Sequence, residues 1–339
     1  MANKFKGFNS AFFVFHLLIV LLSYSIYLAP NIAPTTFSYF GFVPIFFPVI
    51  LLVNLLLVIV LFLKGKSVKW LFLLFFIGLL PPLQKSYQFF GNKVEVEADF
   101  KLITFNVNHM RKEGIDDFLL VENADVVVFQ EGTNRRRYLK KLNEGPFKDF
   151  YSETDLKNQI FSRYPIIEFK PIFQVPGDLT TGAVYADIDT GKDTIRIINV
   201  HLGSMGVDKE LVTGEVNDLT EVSEGSKVVK NRMISGFLKH QQQIQLIMPY
   251  IQHSPYPVIL AGDFNAVPNS YEYRQITYWL KDTYLEVGRS PGTSFHDYKY
   301  PIRIDYVFHS DEFLPVSYKV KTNLNLSDHY PVVTQFKLP

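Results

Sequence analysis

Apolar residues crowd into the first ninety positions of this 339-residue chain, and they fall in three runs. Residues 11–29 are apolar apart from His16 and a few hydroxyls, long enough to cross a bilayer as a helix. The second run, 37–63, is longer still. Its prolines, Pro44 and Pro48, lie near its start, where they kink a helix or mark its entry. The third, 70–80, is short before Pro81 and Pro82 interrupt it. It spans only if those prolines and the Lys69 stem are tolerated at membrane depth, and otherwise reads as a buried core helix. A cleaved secretory signal is one short apolar stretch, so three in series exclude it.

These runs predict a transmembrane region over residues 1–90, with spans at about 11–29, 40–63 and 68–84. Lys4 and Lys6 precede the first run, Lys64, Lys66 and Lys69 separate the second from the third, and the 31–36 loop is uncharged. The positive-inside rule then places the N-terminus and the lysine loop in the cytoplasm. Three crossings leave everything after residue 90 outside the cytoplasm, whereas two leave it inside. We expect a multi-pass membrane protein whose remaining domain is extracytoplasmic.

From Glu95 onward strands alternate with polar segments and helices, which defines a second domain over residues 91–339. Residues 100–107 (FKLITFNV) read as a strand ending near Asn106 and Asn108, 115–123 as a short helix, and 125–129 (DVVVF) as a buried strand ending at Gln130 and Glu131. Residues 162–165 read as a turn. Residues 181–189 and 194–200 form an antiparallel pair around a Thr190-Gly191-Lys192 turn, and the second strand ends at His201. Residues 204–230 are polar without periodicity, and we expect an insertion or a lid. Residues 233–251 carry apolar positions at helical spacing. Then follow VILAGDFN at 258–265, a strand at 302–308 (IRIDYVF), and a last strand at 330–336 after Ser327, Asp328 and His329.

Composition narrows the chemistry. Net charge is +1, so no global basic field points to a polyanion partner. Cysteine is absent, which excludes disulfides, thiol nucleophiles and zinc–thiolate sites. No HExxH pair is present to make a zinc peptidase. Any metal sits on oxygen or imidazole.

Strand after strand ends in a group able to hold a cation or move a proton: Asn106, Glu131, His201, Asp263 with Asn265, Asp305, and Asp328 with His329. Neighbouring buried carboxylates repel unless a cation or proton intervenes. Oxygen donors favour Mg²⁺, Mn²⁺ or Ca²⁺, and a hard ion beside a carboxylate and a histidine suits phosphate-ester hydrolysis.

GDFN, then IDYVF, then terminal SDH, in that order, resemble the endonuclease/exonuclease/phosphatase (DNase I-like) superfamily over about residues 100–338. The resemblance implies an α/β (α+β) fold, a four-layer sandwich of two mixed β-sheets flanked by helices. It implies a Mg²⁺-dependent (or Mn²⁺- or Ca²⁺-dependent) hydrolase acting on ester bonds. It also implies Glu131, Asn106 and Asp328 at the metal, and Asp263 orienting or deprotonating the attacking water. Asn265 becomes a donor to the transition state and His201 a group near the leaving group or a phosphate oxygen. Asp305 holds the terminal imidazole, and His329 serves as general base or phosphate-polarising group. Two alternatives stand beside these roles: Asp305 pairing with Arg303 or Lys299, and His201 as a core histidine. Asn108 stands where some nucleases of the superfamily carry an acidic residue, which makes the site one negative charge poorer. His109, His240, His253, His296 and His309 match nothing in this pattern.

The expected partner is a phosphodiester substrate, either a lipid headgroup or nucleic acid, together with the membrane; no obligate protein partner is inferred. Arg135, Arg136, Arg137, Lys140 and Lys141 form a compact basic cluster that fits a nuclease or, more simply, a solvated helix face. The anchor fits a sphingomyelinase-like or inositol-phosphate-cleaving activity equally well. A catalytically inactive, membrane-attached binding module is the non-enzyme alternative.

Overall fold

A computed structural model describes residues 2–88, 91–132, 136–155, 158–206, 219–297 and 302–339. The predicted basic run therefore loses Arg135, and the 204–230 segment loses 207–218, to positions outside the described residues, as does Lys299.

The N-terminal runs fold as helices α1 (Ala2–Tyr24), α2 (Pro34–Phe37), α3 (Phe42–Leu63), α4 (Lys69–Ile77) and α5 (Leu80–Gln84). Two stretches, Ser10–Asn31 and Pro34–Leu63, are long and apolar enough to cross a membrane, and Lys69–Gln84 is a shorter apolar segment. Pro81 and Pro82 do not end the third segment. They sit in the first turn of α5, where the missing N–H would be unpaired anyway. Two apolar layers hold the helices together. Val20, Val58, Leu61 and Phe72 pack at one end, and Ile26, Phe47, Leu51 and Leu79 at the other. The lysine-bearing turn belongs to the first end, with the Lys64 ammonium 5.2 Å from the Phe12 ring centre.

Two six-stranded mixed sheets form the remainder. The first orders β13 (Leu314–Val320), β14 (Val332–Lys337), β2 (Phe100–Asn106), β3 (Val126–Gln130), β5 (Asn158–Ser162) and β4 (Tyr151–Asp155). The second orders β10 (Lys281–Asp282), β12 (Asp305–His309), β9 (Val258–Asp263), β8 (Thr194–His201), β7 (Asp178–Asp189) and β6 (Ile166–Val175). β1 (Tyr87–Gln88) and β11 (Ser290–Pro291) make a small separate pair. Helices α6 (Ile115–Glu122), α7 (Arg136–Glu144), α8 (Leu219–Gln252), α9 (Tyr271–Ile276) and α10 (Thr283–Val287) accompany the sheets.

The central pairs β2/β3 and β8/β9 are parallel and their neighbours antiparallel. Strands buried on both faces read as unbroken apolar runs, which is why VVVF and VILA lack alternation. Between the sheets, Leu102, Val126 and Val128 meet Val184, Ile197, Ile259 and Val307. Asn199 of β8 donates to the carbonyls of Phe129 and Gln159 and accepts from Gln130, a buried polar pin between the sheets just below the site.

Most boundaries shift by one to three residues from the sequence reading, and two of the differences bear on the surroundings of the strand ends. Helix α8 starts at Leu219, so within the polar 204–230 stretch residues 204–206 are irregular while 219–230 are helix, not an irregular insertion. An amphipathic helix packed along 233–251 extends at little cost, because each added residue gains a hydrogen bond without a new nucleation step. The strand expected at 302–308 begins only at Asp305; Ile302 makes an isolated bridge to Phe295.

The N-terminal helices rest on the sheet domain. The Thr35 amide donates to Gln241 Oε1 at 3.0 Å and the Gln241 carboxamide returns a bond to Thr35 Oγ1 at 3.1 Å. Phe42 meets Phe237 edge to face at 5.3 Å. Arg274 donates to Asn31, Asn269 to the Pro82 carbonyl, and Arg303 to the Lys85 carbonyl.

Candidate active site

Strand register assembles the site. Parallel pairing sets His201 beside Asp263 at the ends of β8 and β9, and antiparallel pairing sets Asp305, the first residue of β12, on the other side of Asp263. On the facing sheet, Asn106 ends β2 and Glu131 follows β3. Gly262 makes the close strand approach possible. With φ 144° its added Cβ would stand 1.9 Å from the Val200 carbonyl oxygen, so no other residue fits.

Asp263 is the centre, 1% exposed. Its Oδ2 accepts from Asn106 Nδ2 at 3.0 Å and lies 3.5 Å from His201 Nε2 and 3.6 Å from His329 Nε2. Its Oδ1 accepts from the Asn265 backbone amide at 2.8 Å. Burial, with the neighbouring Asp305 carboxylate, pushes the Asp263 carboxyl above the usual range against the pull of His329 and His201.

His329 Nδ1 donates to Asp305 Oδ2 at 2.8 Å. Burial disfavours its charge, but the carboxylates of Asp305, Asp263 and Asp328 outweigh burial and push the imidazolium up to about 10. Arg303 is engaged elsewhere, in a buried pair with Asp282 at 2.6 Å, so Asp305 is left to His329. His201 Nδ1 donates to the Thr180 carbonyl at 2.9 Å, which leaves Nε2 as acceptor for the Asn265 carboxamide at 3.3 Å. Asn265 also donates to the Leu202 carbonyl.

Glu131 adopts φ 51° at the rim, and its carboxylate stands 3.3 Å from Asn106 Nδ2, 3.4 Å from His109 Nε2 and 3.7 Å from His201 Nε2. These contacts are longer than good hydrogen bonds and leave its oxygens open to a cation. Asn106 donates to both Glu131 and Asp263, while its oxygen accepts from the Asn108 amide. Asp328 is held by Ser327 and Asn108. Burial raises its pKa, but the charge of His329 and these two donors more than offset it, so the carboxyl lies below the usual range. Asp263, Asp305 and His329 offer ligand atoms within 4.8 Å of one another, a group able to hold a metal ion.

Three histidines that the sequence pattern left unassigned brace this cluster. His109 lies in a run of left-handed residues, Asn108 to Met110, and faces Glu131; its amide also donates to the Glu131 carbonyl at 2.8 Å. His240, fully buried, places Nδ1 2.9 Å from Glu272 Oε1 and donates from Nε2 to the Gly203 carbonyl at 2.6 Å. His296 stacks on Tyr330 and donates to the Ser327 carbonyl. No spacing in the sequence marks them, because each acts through a partner at least 22 positions away.

Two face-packed mixed sheets flanked by helices, with this cluster at one rim, define the DNase I-like fold. The chain belongs to the Endonuclease/Exonuclease/phosphatase family, whose model matches residues 103–329, more than half of the chain. A model for a domain of unknown function (DUF8431) matches residues 9–86. An endonuclease/exonuclease/phosphatase from Bacteroides vulgatus is 18% identical with a TM-score of 0.53, over 72% of this chain and all of that one. One from Beutenbergia cavernae is 21% identical with a TM-score of 0.50, over 71% and 72% of the two chains. D. rerio TDP2 complexed with single strand DNA product is 16% identical with a TM-score of 0.50, over 70% and 98%. At these identities the likeness establishes the fold. No curated protein matches by sequence.

Proposed function

We propose that the protein is a membrane-anchored, divalent-metal-dependent phosphodiesterase, with residues 1–90 as anchor and 91–339 as catalytic domain. The observation that carries the reading is the convergence of His201, Asp305, Asn106 and His329 on the single buried carboxylate of Asp263.

Glu131, with Asn106 and Asp328, would hold Mg²⁺ (or Mn²⁺ or Ca²⁺); the set is all oxygen, and the Glu131 carboxylate is the most open of the three. The alternative trio of Asp263, Asp305 and His329 is less suited to a cation, because the His329 ring is protonated and a ligand nitrogen needs its lone pair. The ion supplies neutralisation of charge on the phosphate oxygens. Asp263, with its raised pKa, takes the proton of the attacking water. The water oxygen bonds to phosphorus in line, the bond to the leaving oxygen breaks, and that oxygen takes up the proton. Charged His329, held by Asp305, would face the oxygens that gain charge, and the Asn265 carboxamide would join it by giving up its long 3.3 Å bond to His201. His201 stands beside the leaving side.

The packing supports three passes. The 25–41 segment and the end of α5 both contact the catalytic domain, while the 64–69 turn packs at the opposite end of the helices. With the lysine turn cytoplasmic, the catalytic domain is extracytoplasmic.

Purified full chain in detergent, given bis(p-nitrophenyl) phosphate with Mg²⁺ or Mn²⁺ and then EDTA, tests the activity. Turnover that chelation abolishes is expected. Inactivity in every metal, with Asp263→Ala identical to wild type in binding, would favour the inactive module.

A further inference from the structure

Cavities lie along the seam between the N-terminal helices and the catalytic domain, and they differ in room. Two hold about 30 and 50 Å³, space for little more than water. A third holds about 260 Å³, which suits a compact polar group. Ile26, Pro30, Pro82 and Lys85 line it from the N-terminal region, and Tyr273 and Arg274 from the catalytic domain. No residue of the catalytic cluster takes part in its walls.

The cavity is one-sided in charge. No carboxylate lines it, while one cation enters from each region. The Lys85 ammonium lies 5.2 Å from the Tyr273 ring centre. Arg274 donates from Nε to Asn31 and lies 5.7 Å from the Tyr278 ring centre, so the two terminal nitrogens of its fork stay free among the described residues. Neither cation forms an ion pair among the described residues. The more deeply buried cations do, Arg303 with Asp282 at 2.6 Å and Arg196 with Asp187 at 2.7 Å. Asp282 is taken up by Arg303 and by the Tyr273 hydroxyl. Burial lowers the Lys85 pKa; the Asp282 charge opposes that shift, and the Arg274 charge adds to it. An anion between the two cations would offset both burial and their mutual repulsion.

We propose that this cavity binds a phosphate-bearing anion, with the Arg274 fork on two of its oxygens and the Lys85 ammonium as a point charge beside them. Its place in the molecule favours the headgroup of an anionic lipid over free phosphate. Asn31 ends the first apolar segment, and Gln84, just before Lys85, ends the third. The cavity therefore sits where the apolar segments stop, on the side of the catalytic domain. Tyr27, which lines it, is 44% exposed, and Tyr278 and Trp279 beside Arg274 are 68% and 50% exposed. Aromatic rings with Lys and Arg mark the water–lipid boundary, and clustered cations there hold anionic headgroups. The choice of a lipid rests on the anchor reading and not on the hydrolase reading. A bound headgroup joins Lys85 of the anchor to Arg274 of the catalytic domain. It thus adds to the docking already made by the Arg274–Asn31 and Asn269–Pro82 bonds.

Native mass spectrometry of the full chain released from maltoside micelles, in EDTA so that no metal-dependent turnover intervenes, reads what is retained. Dioctanoyl phosphatidylglycerol should bind at least about tenfold more tightly than dioctanoyl phosphatidylcholine, whose headgroup carries no net charge. Lys85→Gln and Arg274→Gln should each weaken phosphatidylglycerol binding about tenfold, whereas Lys85→Arg, which keeps the charge, should retain it. Equal thermal unfolding of these variants in maltoside alone separates lost binding from misfolding. Inorganic phosphate forms the second arm. Its retention in place of the lipid, lost in the same two glutamine variants, supports the anion site and makes free phosphate the occupant. The proposal is overturned if neither anion binds more weakly to the glutamine variants than to wild type. Phosphatidylcholine bound as tightly as the better of the two anions would overturn it as well. Release of the chain from membranes by alkaline carbonate, with anion binding intact, would keep the site and remove the anchor reading alone.

Discussion

The N-terminal helices and the sheet domain distribute their side chains in opposite senses. In the helices the outer surface is apolar, with Leu63 83% and Leu74 65% exposed. Their interior holds a polar trio: His16 beside Asn54 at 3.2 Å, and Asn54 donating to Ser23. In the sheet domain Phe105, Phe129, Ile197 and Leu260 are fully buried, and the polar residues that matter gather at one rim. The proposed membrane anchor accounts for the contrast: on the helices apolar surface faces outward as it would toward a bilayer, and in both regions buried polar groups pair.

The sharpest way to separate the regions is to remove the chemistry and leave the anchor. Asp263→Ala should lower kcat by about 10²–10⁴-fold, as loss of a general base does, with unchanged retention in membranes after alkaline carbonate extraction. The converse change is Leu52→Lys on the outward face of α3. A charge there costs about 2.5–3.5 kcal/mol in a bilayer, so the membrane-bound amount should fall, measured by fractionation. Leu314→Lys, at a comparably exposed leucine of the sheet domain, should change stability by no more than about 0.5 kcal/mol. If both lysines behave alike, the two-solvent comparison fails.

Next in size is Asp305→Asn, which should cost about 10–100-fold in kcat, as loss of an orienting partner does. Its pH profile carries more information than its rate. Asp305 helps to raise His329 to about 10, so wild-type activity should decline as pH rises through that value, and in the variant the decline should move to lower pH. Asn54→Leu in the helical interior should cost about 0.6–1.7 kcal/mol by unfolding in mixed micelles, the range of hydrogen bonds between membrane helices.

The smallest effect concerns Asp178 at the β6–β7 turn. Burial raises its pKa, but bonds from Thr181 and Thr180 overcome that and lower it from 3.8 to about 2. Its folded pKa lies below the unfolded value, so the stabilisation is complete above about 3.8 and disappears as pH falls toward 2. Asp178→Asn should therefore be slightly less stable than wild type at neutral pH and equal to it near pH 2, measured by urea unfolding of both.

Much of the catalytic domain was legible in the sequence. The strands around FKLITFN, DVVVF and VILAGD, the hairpin turning at Gly191, and the apolar helices all follow from patterns within about twenty residues. The polar residues at the strand ends were legible too, because an apolar run that stops at Gly262 and Asp263 declares where the chain leaves the core. Helix α8 was half visible. Its packed half has periodicity, while residues before 233 carry no apolar stripe and are helical by continuation.

What the sequence determined by itself is local: which residues prefer strand or helix, where each element stops, and which chemical groups stand at those stops. Tertiary structure alone decided that Asp263 has His201 and Asp305 at its sides, that His109, His240 and His296 brace the site, and that the apolar helices dock on α8 through Thr35 and Phe42. The reason is that a strand's pattern records whether it is buried but not which neighbour buries it. Register between strands far apart in the chain, and the docking of one region on another, are set by summed packing over both surfaces.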